Sequence, residues 1–126
     1  ALAAAIDYLE FIGWKEITER EEMLTAQLLA GMKKIPGVHI LGSGDEKEHC
    51  GIVSFTVDDV HPHDIASILD EAHVAVRAGH HCAQPLLEWL GISSCARASV
   101  AFYNTPEDVG RFLDQLAQVR RMMGYE

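Results

Sequence analysis

Arg77-Ala78-Gly79-His80-His81-Cys82-Ala83-Gln84-Pro85 sets one thiol beside two imidazoles and a guanidinium, between a glycine and a proline. Gly79 and Pro85 mark a loop, the part of a fold that most often displays reactive side chains. By residue type alone three readings stay open. The first is an incidental cysteine in a surface turn. The second is a zinc site, because His and Cys are both zinc ligands. The third is a reactive thiol, whose nucleophilic thiolate form is favoured by nearby cationic groups.

Outward from this loop the hydrophobic pattern predicts strands and helices in mixed order. Val74-Ala75-Val76 reads as a short apolar strand leading into the loop, and Gln84 to Leu90 as one or two helical turns stopped by Gly91. Before them, Pro62 suits the first turn of a helix, where its missing N–H costs nothing. Ile65, Ile68, Leu69 and Ala72 form one face of that helix, and His61 and His63 flank its start as capping residues. Ile52 to Val57 alternates with β-branched and aromatic residues, as a strand does. Val38 to Leu41 is a shorter strand, and Gly42 to His49 a polar loop. Toward the N-terminus, Leu2, Ile6 and Leu9 recur at helical spacing up to Gly13. A second helix is expected from Trp14 to Lys34, with Ile17, Leu24, Leu28, Met32 and Ile35 on one stripe, ending at Pro36-Gly37. After the loop, Cys95 begins a strand region and Ala98 to Tyr103 reads as a further strand. Thr105, Pro106 and Asp108 have the spacing of an N-cap, a first helical residue and the far side of a capping box. Phe112, Leu113, Leu116 and Val119 are the expected buried stripe of the last helix. The layout is α+β, a small sheet covered by helices.

Composition narrows the function. The chain has 126 residues, 48% of them hydrophobic, and a formal net charge of -9. This is enough for one domain with a core. The acidity argues against nucleic acid, whose phosphates need a basic footprint. No apolar run reaches the roughly 20 residues that span a bilayer, so no membrane is expected. Three cysteines, Cys50, Cys82 and Cys95, make an odd count with no CxxC pair and no signal peptide in view, which points to reduced thiols and a cytoplasmic setting. Cys95 reads as a small buried hydrophobe. His39, His49 and His73 read as ordinary surface or strand-end residues, and Asn104 as a turn residue.

Residues 77–85 resemble the active-site cysteine segment of the cysteine desulfurases, in the group II (SufS-like) branch. Cys95-Ala96-Arg97-Ala98-Ser99-Val100-Ala101-Phe102-Tyr103-Asn104-Thr105 is similar to that family's second signature. Gly51-Ile52-Val53-Ser54-Phe55 and Val60-His61-Pro62-His63-Asp64 also fit its pattern, so the resemblance runs through essentially the whole chain. It implies the C-terminal small domain of a fold-type I pyridoxal phosphate enzyme. Residues 1–126 are then a single small domain, and the Met-less start inside a helical pattern leads us to expect a fragment of a larger enzyme. No segment resembles the part of the family that binds the cofactor. Lys15, Lys33, Lys34 and Lys47 lie on predicted helical faces or in the polar loop, and none matches the Schiff-base motif.

The resemblance also implies the chemistry. The full-length enzyme would be a homodimer converting L-cysteine to L-alanine, with pyridoxal phosphate as electron sink. Cys82 would take the sulfur as a persulfide and hand it to a sulfur-acceptor protein for iron–sulfur cluster assembly; selenocysteine lyase activity is a related expectation. Arg97 would clamp the substrate carboxylate through a planar bidentate pair, unless it caps a sheet edge. Arg77 would support the thiolate or the persulfide anion, unless it serves an ordinary salt bridge. His80 and His81 would shuttle protons or brace the loop. In the family a small residue, often cysteine, precedes the arginine; here Ala96 takes that place and Cys95 lies one residue earlier, so Cys95 is given no catalytic role. No metal site is expected. Two other readings remain: a stand-alone sulfur-carrier or thiol-relay module, and a His/Cys metal-binding domain.

Overall fold

The computed structural model describes residues 1–125. Helix α1 spans Leu2–Ile12 and α2 spans Trp14–Met32. Strand β1 is Val38–Leu41, β2 is Ile52–Val57, and α3 is Pro62–Glu71. Then come β3 at Arg77–Gly79, α4 at Gln84–Trp89, β4 at Cys95–Ser99, α5 at Pro106–Leu116 and α6 at Val119–Met122. The four strands form one antiparallel sheet in the order β1-β2-β4-β3.

Strand alternation gives the sheet two chemically different faces. One carries Ile40, Phe55, Ala96 and Ala78, paired in register across all four strands. Phe55 and Ala96 are fully buried, in one cluster with Leu24, Leu28 and Met32 of α2, Ile65 and Leu69 of α3, and Val109, Phe112 and Leu116 of α5. Phe112 meets Phe55 edge-on, ring centres 5.9 Å apart at 77°. That geometry suits the aromatic quadrupole, and truncating either ring to Ala would cost about 3–5 kcal/mol. The other face carries Leu41, Ser54, Arg97 and Arg77.

Local sequence signals set the helix starts. His61 Nδ1 accepts the His63 N–H at 3.3 Å ahead of Pro62. Thr105 and Asp108 close a reciprocal capping box over Pro106. Four element boundaries differ from the sequence expectation. Residues 74–76 are not a strand; Val74 and Val76 pack on the core, while the hydrogen-bonded ladder begins at Arg77. Their apolar alternation reports burial, not pairing. The strand expected at Ala98–Tyr103 is instead Cys95–Ser99. The chain turns at Ala101, whose N–H is captured by Asn104 Oδ1 at 2.9 Å. Helix α2 ends two residues short of Lys34, and the last helix breaks at Ala117–Gln118. On α5 it is Val109 that is buried and Leu113 only half-buried.

Candidate active site

The cysteine loop is a tight turn at the end of an edge strand. Gly79 has φ +131, a conformation that favours glycine, and a Cβ there would meet nothing within 4 Å, so the dihedral sets the residue rather than space. The chain then reverses over His80–Ala83, closed by Ala83 N–H donating to His80 O at 2.8 Å. Its two central residues, His81 and Cys82, have φ +53 and +57. Two left-handed central residues make a mirror-image turn, normally filled by Asn and Gly. For side chains with a Cβ this costs about 1–2 kcal/mol per residue. Pro85 then enters the first turn of α4, whose Leu87 is buried. Cys82 is left exposed.

Both histidines of the run engage backbone. Cys82 N–H donates to His80 Nδ1 at 3.2 Å, so His80 acts there as an acceptor. His81 Nε2 lies 3.1 Å from the carbonyl oxygen of Cys95, to which it donates. His81 Nδ1 is buried without a partner.

On β4, Arg97 lies between Ser54 of β2 and Arg77 of β3, directly opposite both. Since β4 is an interior strand, Arg97 does not cap a sheet edge. Among the described residues, Arg77 and Arg97 make no ion pair, and the buried Nε of Arg97 has no hydrogen-bond partner. Like charges directly opposite each other destabilise a sheet. An anion at this row would relieve the repulsion, and a carboxylate matches the planar donor fork of a guanidinium.

Cys95 shares the Arg97 face, two residues earlier on the same strand, and is 1% exposed. Burial pushes its thiol pKa up, against the opposing pull of the Ser54 hydrogen bond and the Arg97 charge. The residue next to Arg97 is Ala96, which faces the core. Cys50 is exposed in a left-handed turn ahead of β2. Sequence reasoning missed His49, whose ring nitrogens lie 2.6 Å from Ser43 O and 3.0 Å from Ile52 O, tying the polar loop together. No periodic signal marks such a tie. A cavity of about 240 Å³ lies between α5 and residues 73–76, and another of about 700 Å³ beside β1 and the C-terminal helix; neither includes Cys82, Arg77 or Arg97.

The lysines do not fit a pyridoxal phosphate site. All four are exposed: Lys15 lies 3.8 Å from Glu19, and Lys33 donates to Gly44 O. A Schiff-base lysine is instead kept deprotonated by a desolvated setting or cationic neighbours. Among the described residues no three His, Cys, Asp or Glu side chains converge as a metal site, and no helix is long and apolar enough to cross a membrane.

A thiol turn tied to an antiparallel sheet that carries two opposed arginines defines a small α+β domain, and comparison with known proteins gives its family. Residues 1–112 match the family model of class-V aminotransferases, and the chain belongs to that family. Its relatives include "Probable cysteine desulfurase" of Staphylococcus aureus (strain COL), 47% identical over 99% of this chain and 30% of that protein. The apo cysteine desulfurase of Thermococcus onnurineus NA1 superposes with a TM-score of 0.91 at 40% identity, over 96% of this chain and 30% of that one. The Escherichia coli cysteine desulfurase CsdA, in an S-sulfonic acid form, gives 0.73 at 30% identity, over 82% and 25%. The chain therefore spans about 30% of the length of the curated relatives it matches.

Proposed function

We propose that this chain is the thiol-bearing small domain of a cysteine desulfurase, and that Cys82 receives sulfur from L-cysteine. The observation that carries this reading is the docking of the Cys82 turn, through His81, onto the strand that presents Arg97. Arg97 holds the substrate carboxylate, and Arg77 opposite it supports the thiolate or the persulfide anion. The Cys82 thiolate attacks the substrate sulfur: a new S–S bond forms, the substrate C–S bond breaks, and its electron pair leaves with the carbon skeleton. That carbon takes up a proton to give L-alanine, and Cys82 is left as a persulfide. Exposure of Cys82 lets an acceptor protein collect the sulfur, with iron–sulfur cluster assembly as its destination. Pyridoxal phosphate supplies the electron sink in the whole enzyme. Because no lysine here fits it, residues outside this chain hold it, and this chain alone neither binds it stably nor turns over cysteine.

Among the described residues no three His, Cys, Asp or Glu side chains converge around Cys82, which favours this reading over a His/Cys metal domain. The Arg77–Arg97 pair favours it over a bare sulfur carrier, which has no carboxylate to hold. The test is to expose the full-length protein briefly to L-cysteine and map sulfur by peptide mass spectrometry. One added sulfur on the Cys82 peptide, removed by a reducing thiol, is the expected result. Alanine release with no sulfur on Cys82 sinks the assignment.

A further inference from the structure

We propose that His81 is the positioning residue of the Cys82 turn: its Nε2–H bond to the Cys95 carbonyl fixes where the thiol stands relative to Arg97. This rests on Cys82 being the sulfur-accepting thiol. The turn's other two hydrogen bonds, Ala83 N–H to His80 O and Cys82 N–H to His80 Nδ1, are internal and would move with it. The His81 bond is different, because it crosses 14 residues to another strand. It lands on the backbone carbonyl of Cys95, the first residue of β4 and the strand that carries Arg97 two residues on. Two strand residues span roughly 7 Å, so the turn is anchored one pleat repeat from the arginine row. A second observation says the imidazole is not present for packing. Its Nδ1 is buried with no partner, which an apolar side chain would avoid. The turn itself favours Asn and Gly at both central positions, so an external tie is what keeps His81 and Cys82 left-handed.

The test compares His81→Leu, which removes the donor, with His81→Gln, whose amide restores an N–H at similar reach, both in the full-length protein. Hydrogen exchange of the peptide spanning the turn should speed up about fivefold or more in His81→Leu, because the Cys82 and Ala83 amides open more often. The turnover number for alanine release should fall about tenfold while the Michaelis constant stays within roughly twofold, since the arginine row is untouched. His81→Gln should recover most of both. Unchanged exchange, unchanged turnover, a Michaelis constant that rises as turnover falls, or a Gln variant as poor as Leu each overturns the proposal. Should His81→Leu fail to fold, His81→Ala, which has no donor and no preference for the left-handed turn, takes its place. If Cys82→Ser proves as active as the parent, it is the sulfur-acceptor reading that fails, and exchange alone still decides whether His81 holds the turn.

Discussion

Arg77 on β3 and Arg97 on β4 stand directly opposite each other on one face of the sheet, and among the described residues neither pairs with an acid. Two guanidiniums in that register repel unless an anion joins them. Arg97 is half-buried on an interior strand and Arg77 exposed on the edge strand, so the first is the fixed member and the second the adaptable one.

Arg97→Lys in the full-length enzyme should therefore raise the Michaelis constant for L-cysteine about tenfold or more. Lysine keeps the charge but loses the bidentate fork, and one charge-assisted hydrogen bond is worth about 1.5–3 kcal/mol. A tenfold change needs only about 1.4 kcal/mol. Arg77→Lys should act less, and mainly on the turnover number. Steady-state kinetics of both variants checks this; the reverse pattern exchanges the two roles.

The three thiols should separate by reactivity. Iodoacetamide at neutral pH should label Cys82 and Cys50, which are exposed, well before Cys95. Cys95 is 1% exposed, and burial holds its thiol protonated above the usual range. Peptide mapping after timed labelling gives the order, and equal labelling of Cys95 in the folded chain contradicts it. Cys50→Ser, in an exposed turn, and Cys95→Ser, at a packing position, should keep most activity.

The start of α5 should show an acid-dependent cap. The Thr105 backbone N–H, then the Asn104 amide and the Thr105 hydroxyl, hold the Asp108 carboxyl below its ordinary range. A carboxyl depressed in the folded state contributes fully above its unfolded pKa, about 3.9, and loses that contribution as pH falls through the folded value. The Tm gap between the parent and Asp108→Ala should thus be constant near neutrality and narrow below about pH 4. Thr105→Ala should cost about 0.5–2 kcal/mol as a lost N-cap. Thermal melts across pH read both; a gap that widens in acid has the wrong sign.

The isolated 126-residue chain should not form a specific pyridoxal phosphate adduct. With four exposed lysines, borohydride trapping should give scattered, substoichiometric modification. A single saturating lysine accompanied by turnover of cysteine would overturn that account.

What was readable in the sequence was mostly local. The Pro62 helix start, the Thr105–Asp108 box and the glycine–proline frame of the cysteine turn each depend on residues a few positions apart. Strand limits were less readable, because register with a distant partner sets them. Val74–Val76 alternates like a strand yet begins before its partner pairs, and Asn104 ends β4's path by catching Ala101. The run at 77–85 named Cys82, Arg77, His80 and His81, and the signature at 95–105 named Arg97, but neither could show that Arg77 and Arg97 are opposed, or that His81 reaches Cys95. Those relations join positions 14 and 20 residues apart and exist only once the sheet forms.

The central claim is that Cys82 takes the sulfur. The most direct measurement is alanine release from L-cysteine by full-length Cys82→Ser, with cofactor absorbance followed on the same sample. A hydroxyl is far less nucleophilic than a thiolate near neutral pH. The account predicts cofactor bound as in the parent and alanine release reduced to background. Alanine released at the parent rate would contradict it.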